Sequence, residues 1–280
     1  MIYVIFPALN EERVIRPTLL ALADAIRGTE QYYLAVLVDD GSTDATVAEA
    51  RRAVEESGGR LRLEVLSHEV NRGLGAALRT GIYHVLDRAG DDDVIVTLDA
   101  DNTHPPAMIP GLVARVRDGW DVAIASRYRT GSEVHGVPGY RRALSDAGRL
   151  VFQVLYPIPG VRDYTCCFRA YRVPVLRTAR RVYGDELCAA RGFEAVMDLL
   201  LRLGPLGVRA TEVGFVLDYG GRVGQSKMKV LRTIRSTVAL LLRRRWERMT
   251  RYTKRAIAAR LAAASDVPRA ASAAGGTPTP

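Results

Sequence analysis

Asp99 and Asp101 stand one residue apart in VTLDADNTHPP, residues 96 to 106, just where a short apolar run ends. Two carboxylates so placed repel each other unless a cation lies between them. Hard divalent ions such as Mg2+ or Mn2+ take oxygen ligands and share their coordination shell with phosphates, so the pair suits a metal that joins the protein to a diphosphate. The same spacing is common in surface turns, and context decides between the two. Glu11 in PALNEE, Asp39 and Asp40 in VDDGSTD, and Arg127 in ASRY could work with the pair. Of the four histidines, His104 adjoins it, and with Pro105 and Pro106 following, its expected role is to shape the loop. Nucleotide-binding glycine fingerprints are missing: Gly73 and Gly75 lack a third glycine at Leu78, and no G-x-x-x-x-G-K-S/T occurs.

Those residues need elements to hold them. Short apolar runs at 2–6, 34–38, 61–66, 94–98 and 121–125 read as strands, and the amphipathic stretches between them have helical spacing and length. Such alternation predicts an α/β fold, a mostly parallel sheet with helices on both faces. Ligands on these sheets sit at the carboxyl ends of the strands. Pro7 to Glu11, Asp39 and Asp40, Asp99 and Asp101, and Ser126 with Arg127 all follow strands and so share one edge. Ser42, Thr43 and Asp44 cap a helix beside them. Beyond Arg127 the rhythm weakens: RTGSEVHGVPGY reads as a loop, RRALSDAGRLVFQVL as a helix, CFRAYR as a short strand, FEAVMDLLLRL as a helix and VRATEVGFVL as a final strand. Met228, Leu231, Ile234, Val238, Leu241, Leu242, Trp246 and Met249 then recur every three or four residues with basic residues between them, which predicts a long amphipathic helix.

The chain has 280 residues, 48% hydrophobic and 25% charged, with net charge +9. From Arg222 to Arg260 there are 13 Lys and Arg against one acid, a local +12, so the remainder carries 9 − 12 = −3. The partner of that positive charge therefore meets the C-terminal part. Base-reading modules and interleaved aromatics are absent, which argues against nucleic acid. Lipid head groups attract nearby Lys or Arg by about 1 kcal/mol each, which favours an anionic membrane surface. No secretory signal or spanning segment is read from the sequence, and three cysteines form no disulfide framework, so the expected location is cytoplasmic and peripheral to the membrane. Residues 264–280, poor in large apolar side chains, are expected to be a disordered tail after a helical region at 226–263.

PALNEE, VDDGSTDAT, NRGLGAALRTG, LDADNTHPP, ASRY, FRAYR and QSKM occur in order over roughly residues 1 to 235, and the series resembles family 2 glycosyltransferases, within them the dolichol-phosphate mannosyltransferase group. The resemblance implies a GT-A fold over residues 1–225 and inverting transfer at a D-x-D metal, Mg2+ or Mn2+. By position, it implies that Pro7, Leu9, Glu11 and Asp39 contact the base and ribose. Asp99 and Asp101, with Thr103 as a shorter ligand where Gln is usual, would hold the metal and diphosphate. Arg222 and Lys227 would support the donor, while Arg127, Arg141 and Ser145 would bind the acceptor's phosphate; Asp101 and Arg127 would be the catalytic pair. Cys166 and Cys167 replace the usual Ser-Gly beside the acceptor pocket, and Leu9 stands where an aromatic is frequent.

A lipid phosphate has a second pKa near 6, so at neutral pH it is already a nucleophile needing no general base. The task is to hold two anions in line, which explains a site rich in arginine without a catalytic histidine. The expected reaction moves mannose from GDP-mannose to a polyprenyl phosphate. UDP-glucose or another nucleotide sugar, or a soluble acceptor, is the alternative; a nucleic-acid-binding protein or inactive scaffold is the reading from a different class.

Overall fold

The computed structural model describes residues 1–101, 103–137, 139–218 and 230–265. The first half alternates as its pattern predicts: β1 (Ile2–Ala8), α1 (Ile15–Ala25), β2 (Tyr33–Asp39), α2 (Thr46–Glu56), β3 (Leu63–Ser67), α3 (Leu74–Leu86), β4 (Val94–Thr97), α4 (Ile109–Arg117) and β5 (Val122–Ser126). Every residue of β1, β4 and β5 is buried, so both faces of the sheet are covered. This is why these strands read as unbroken apolar runs rather than alternating ones.

The second half departs from the simple rhythm. It contains β6 (Glu133–His135), α5 (Gly139–Leu155), β7 (Arg169–Arg172), α6 (Val173–Tyr183), α7 (Glu194–Leu203), β8 (Ala210–Gly214), β9 (Val216–Asp218), α8 (Val230–Thr250) and α9 (Lys254–Ser265). The main sheet runs β3-β2-β1-β4-β7-β5-β8, with β7 antiparallel between β4 and β5. Because β7 runs opposite to its neighbours, the residues just before it lie at the same edge as the carboxyl ends of the others. The single final strand expected over 208–217 is instead two strands: β8 joins the main sheet and β9 pairs with β6, inside the stretch expected to be loop. The break falls at Gly214, where a Cβ would lie 2.7 Å from the carbonyl oxygen of Thr130.

No expectation covered α6, although Val173, Leu176, Ala179 and Val182 have helical spacing behind Pro174 in the first turn. The long helix expected up to Met249 is α8, and α9 follows it after a break where the N–H groups of Arg251 and Tyr252 both bond the carbonyl of Glu247. Its charge is also turned inward more than expected. Arg244 and Glu247 of α8 are buried against Asp198 of α7, Arg244 Nη2 donating to Asp198 Oδ2 at 3.0 Å. Arg243 pairs with Glu247, Arg251 with Glu186, and Arg248 lies over the Tyr156 ring. A buried pair of this kind sets helix register more than it adds stability, because desolvation offsets much of the attraction.

One close approach supports a stability prediction. A Cβ on Gly75, in the first turn of α3, would lie 1.7 Å from the carbonyl oxygen of Ala190, whereas one on Gly111 meets nothing within 4 Å. Gly75→Ala should cost about 3 kcal/mol or more by forcing two backbones apart, and Gly111→Ala should stabilise by a few tenths of a kcal/mol. Thermal melts of the two variants check this, and equal midpoints would contradict the packing.

Candidate active site

The ends of β1 and β2 form one braced wall. Asn10 adopts positive φ, and its side-chain oxygen accepts the N–H of Thr43 at 2.8 Å, while Asn10 N–H donates to Ser42 Oγ at 2.9 Å. Glu11 N–H donates to Thr46 Oγ1 at 2.8 Å, and Ala45 N–H donates to Glu12 Oε2 at 3.1 Å. Asp44 Oδ1 accepts the N–H of Thr46 at 3.0 Å, steering the start of α2 from one residue ahead of its N-cap, Ala45, which makes no side-chain cap, while Ser42 and Thr43, expected to cap, bond Asn10 instead. Pro7 pairs with Val38 in the sheet, Leu9 and Glu11 follow at its edge, and Asp39 Oδ1 accepts the N–H of Ser42 at 3.1 Å. The neighbouring acid has a different job. Asp40 accepts the N–H groups of Arg72 and Gly73 at 2.9 and 2.7 Å and contacts His68 Nδ1, which pins the entry to α3.

Asp99 and Asp101 leave the end of β4 beside this wall. Asp101 Oδ1 accepts both the hydroxyl of Thr103 at 2.6 Å and its N–H at 3.2 Å. Thr103 thus braces Asp101 with the hydroxyl assigned to the metal. Asp99 N–H donates to Nδ1 of the buried His104 at 3.1 Å. Among the described residues no three His, Cys, Asp or Glu side chains cluster to hold a metal ion. Two carboxylates of this kind suit a hard ion only when diphosphate oxygens complete the shell, which is how such ions are held between protein and phosphates.

Arg127, after β5, is already engaged. Its Nε and Nη2 donate to the two oxygens of Asp163 at 2.8 and 2.7 Å, and its N–H donates to Asp163 Oδ2 at 3.2 Å. Asp163 is wholly buried and also accepts from Thr165 and Cys166 N–H. Burial favours the neutral acid, but Arg127 and these N–H groups overcome it and hold the carboxyl at about 2. Burial also disfavours the guanidinium's charge, and Asp163 more than compensates, raising its pKa. Ser145 of α5 meets the Tyr128 hydroxyl at 2.8 Å, and Arg149 stacks over the Tyr128 ring. Arg141 lies in the first turn of α5. Arg222 and Lys227 fall outside the described residues. The sequence reading missed Asp163 and Glu212, a buried acid on β8 that pairs with Arg129 at 3.0 Å. Neither belongs to a motif, and only the antiparallel placement of β7 brings Asp163 to this edge.

A carboxylate pair at the end of one strand, a braced loop wall on one side and an anchored arginine on the other lie along one edge of the sheet, an arrangement suited to a nucleotide diphosphate. The family model for glycosyl transferase family 2 matches residues 3–179. The chain is a family 2 glycosyltransferase. It is 32% identical over 227 residues to the dolichol-phosphate mannosyltransferase of Pyrococcus furiosus, a match covering 81% of this chain and 58% of that protein. It is 31% identical over 226 residues to the undecaprenyl-phosphate mannosyltransferase of Micrococcus luteus, covering 80% and 86%. Among solved structures, glucosyl-3-phosphoglycerate synthase from Mycobacterium tuberculosis with Mn2+, UDP-glucose and phosphoglyceric acid aligns with TM-score 0.59 and 25% identity, over 87% of this chain and 79% of that one. The fold of this glycosyltransferase is GT-A.

Proposed function

We propose that the chain transfers a sugar, mannose from GDP-mannose, onto a polyprenyl phosphate at the cytoplasmic face of a membrane. The observation that carries the lipid acceptor is an exposed apolar surface on two helices. On α8, Ile234, Val238, Leu242, Trp246 and Met249 are exposed at spacings of four, four, four and three, a stripe along one side. On α5, Leu150, Val151, Val154 and Leu155 are exposed as well. A groove of about 320 Å3 between the helices is lined by Leu155, Leu241, Leu242, Met249 and two arginines, Arg245 and Arg248. Apolar stripes with arginine beside them are what an interfacial helix presents to anionic lipid. No helix of the described residues is long and apolar enough to cross a membrane.

The two ends of α5 fit the two ends of such an acceptor. Ser145 sits beside Tyr128 at the phosphate side, and Leu155 lies ten residues on, about 15 Å along the helix axis. Residues 1–225 in this reading do the chemistry and 226–263 face the membrane. The wall at 7–12 and 39–46 receives the nucleoside, and Asp99 and Asp101 would hold Mg2+ or Mn2+ beside its diphosphate. Bound there, the ion supplies fixed positive charge for the departing nucleoside diphosphate. Arg127, held still by Asp163, offers the unused side of its guanidinium to the acceptor's phosphate. That phosphate is mostly dianionic at neutral pH and attacks the sugar carbon from the face opposite the leaving group, which inverts the anomeric centre.

The structural likeness to the glucosyl-3-phosphoglycerate synthase favours the rival, a UDP-sugar donor with a soluble phosphorylated acceptor. Incubating the protein with radiolabelled GDP-mannose, UDP-glucose or UDP-GlcNAc, Mn2+, vesicles carrying undecaprenyl phosphate and soluble 3-phosphoglycerate in the same mixture separates the two. Organic-extractable label is expected from GDP-mannose. Label that reaches only a soluble phosphoglycerate would overturn the lipid assignment. Trp246→Glu combined with Leu242→Glu should reduce both vesicle cosedimentation and lipid transfer at least ~10-fold with nucleotide affinity unchanged, because two charges in the apolar stripe oppose insertion.

A further inference from the structure

The geometry points to His104 as a positioning residue that sets the acidic pair and ties it to Arg127. This rests on the assignment of Asp99 and Asp101 to the diphosphate. The imidazole is buried, stacked on Phe168 at 5.3 Å and edge-on to Phe215 at 6.0 Å. A polar ring in an aromatic nest is costly unless its nitrogens are bonded. Both have partners. Nδ1 accepts the N–H of Asp99 at 3.1 Å and lies 3.8 Å from Oδ2 of the same residue. Nε2 in turn faces Cys166 Sγ at 3.8 Å, a weak acceptor whose thiol burial pushes up to about 12.

The consequences spread in two directions. The Asp99–His104 bond closes a six-residue loop across Asp101, whose own carboxylate is braced from within that loop by Thr103. The direction in which both carboxylates leave β4 therefore depends on the ring. On the other side, Cys166 N–H donates to Asp163 Oδ1, and Asp163 grips Arg127. The intervening segment is itself fixed: Arg169, fully buried, donates to the Tyr164 carbonyl at 2.7 Å, and Thr97 Oγ1 donates to the Cys167 carbonyl at 2.7 Å. A continuous run of contacts, Asp99 to His104 to Cys166 to Asp163 to Arg127, thus spans the site. Holding donor-side carboxylates and acceptor-side cation at a set separation matters because a misplacement near 1 Å can cost about 100-fold in rate.

Three substitutions separate positioning from packing. His104→Asn retains an acceptor two bonds from Cβ, where Nδ1 stood. His104→Gln moves its polar atoms one bond farther out, and His104→Phe keeps only the ring. Calorimetric affinity for GDP and for UDP, each with Mn2+, is measured on the full-length protein beside thermal midpoints, with Asp101→Asn as control. We expect Phe and Gln to weaken nucleotide binding about 10-fold and Asn to stay within about 3-fold of the parent. A merely structural ring would shift the midpoint and leave the affinity of the folded protein alone, so Phe and Gln binding like the parent overturns the proposal. Asn as weak as Gln at the parent's midpoint does so too. Should Phe fail to fold, the comparison of Asn with Gln still decides. If Asp101→Asn binds Mn2+ and nucleotide as well as the parent, the failure lies instead with the acidic pair itself.

Discussion

Asp101→Asn should lower sugar transfer by about 10^3-fold while leaving the thermal midpoint within about 2 °C. The carboxylate sits at the end of β4 with its Oδ1 braced by Thr103, so the amide keeps the shape and can still accept from Thr103. What is lost is the negative charge that holds the ion and, through it, the diphosphate; losses of one preorganised electrostatic contact run about 10^2 to 10^3 in rate. Folding loses little with that charge, because the amide oxygen of Asn keeps both contacts with Thr103. A second readout follows from linkage. Nucleotide with Mn2+ at 100 times its dissociation constant stabilises the folded parent by about 2.7 kcal/mol, and the variant should show almost none of this. Unchanged turnover, or an unchanged melting shift, would refute the metal role.

Arg127→Ala should have the larger effect on folding. The substitution leaves Asp163 wholly buried with its main cationic partner gone, and breaking one side of such a pair costs about 3 to 5 kcal/mol. In a chain of this size that amounts to a midpoint drop of roughly 6 to 15 °C. Adding Asp163→Asn should recover much of the loss, since the remaining side chain is neutral. The pH dependence has a defined sign. In the parent the Asp163 carboxyl lies at about 2, below its ordinary 3.8, so its contribution is present above pH about 4 and is lost as pH falls toward 2. Without Arg127 the buried acid protonates readily, and the stability gap between parent and Arg127→Ala should narrow below pH about 4. Chemical denaturation at pH 7 and pH 3 tests this. A gap that widened in acid would mean the pair is not what holds the edge together. The double variant is then the right background for the kinetic question, where a higher acceptor KM with unchanged nucleotide affinity is the expected signature.

The sequence reading and the structure agree where chemistry is local. The apolar runs of β1, β4 and β5 are buried on both faces, and burial of that kind writes itself into residue type; the acids at the strand ends follow from strand direction alone. The family followed from ordered short motifs, each set by a nearby turn, as with Asp44 and Thr46 at the start of α2. Other features needed the fold. That β7 is antiparallel, and so delivers Asp163, Cys166 and Phe168 to the strand ends, depends on pairing between residues some 75 apart, Val96 with Ala170 for one. Local propensity carries no such information. The same holds for α8, whose sequence reads as a basic amphipathic helix: only packing against α7 shows that Arg244 turns inward to Asp198 while Trp246 and Leu242 turn out. Residue types at short spacing determined which groups could bind a diphosphate. Long-range contacts, formed because buried charge must find a partner, decided which of those groups are committed to the scaffold and which surface meets the lipid in the reading proposed above.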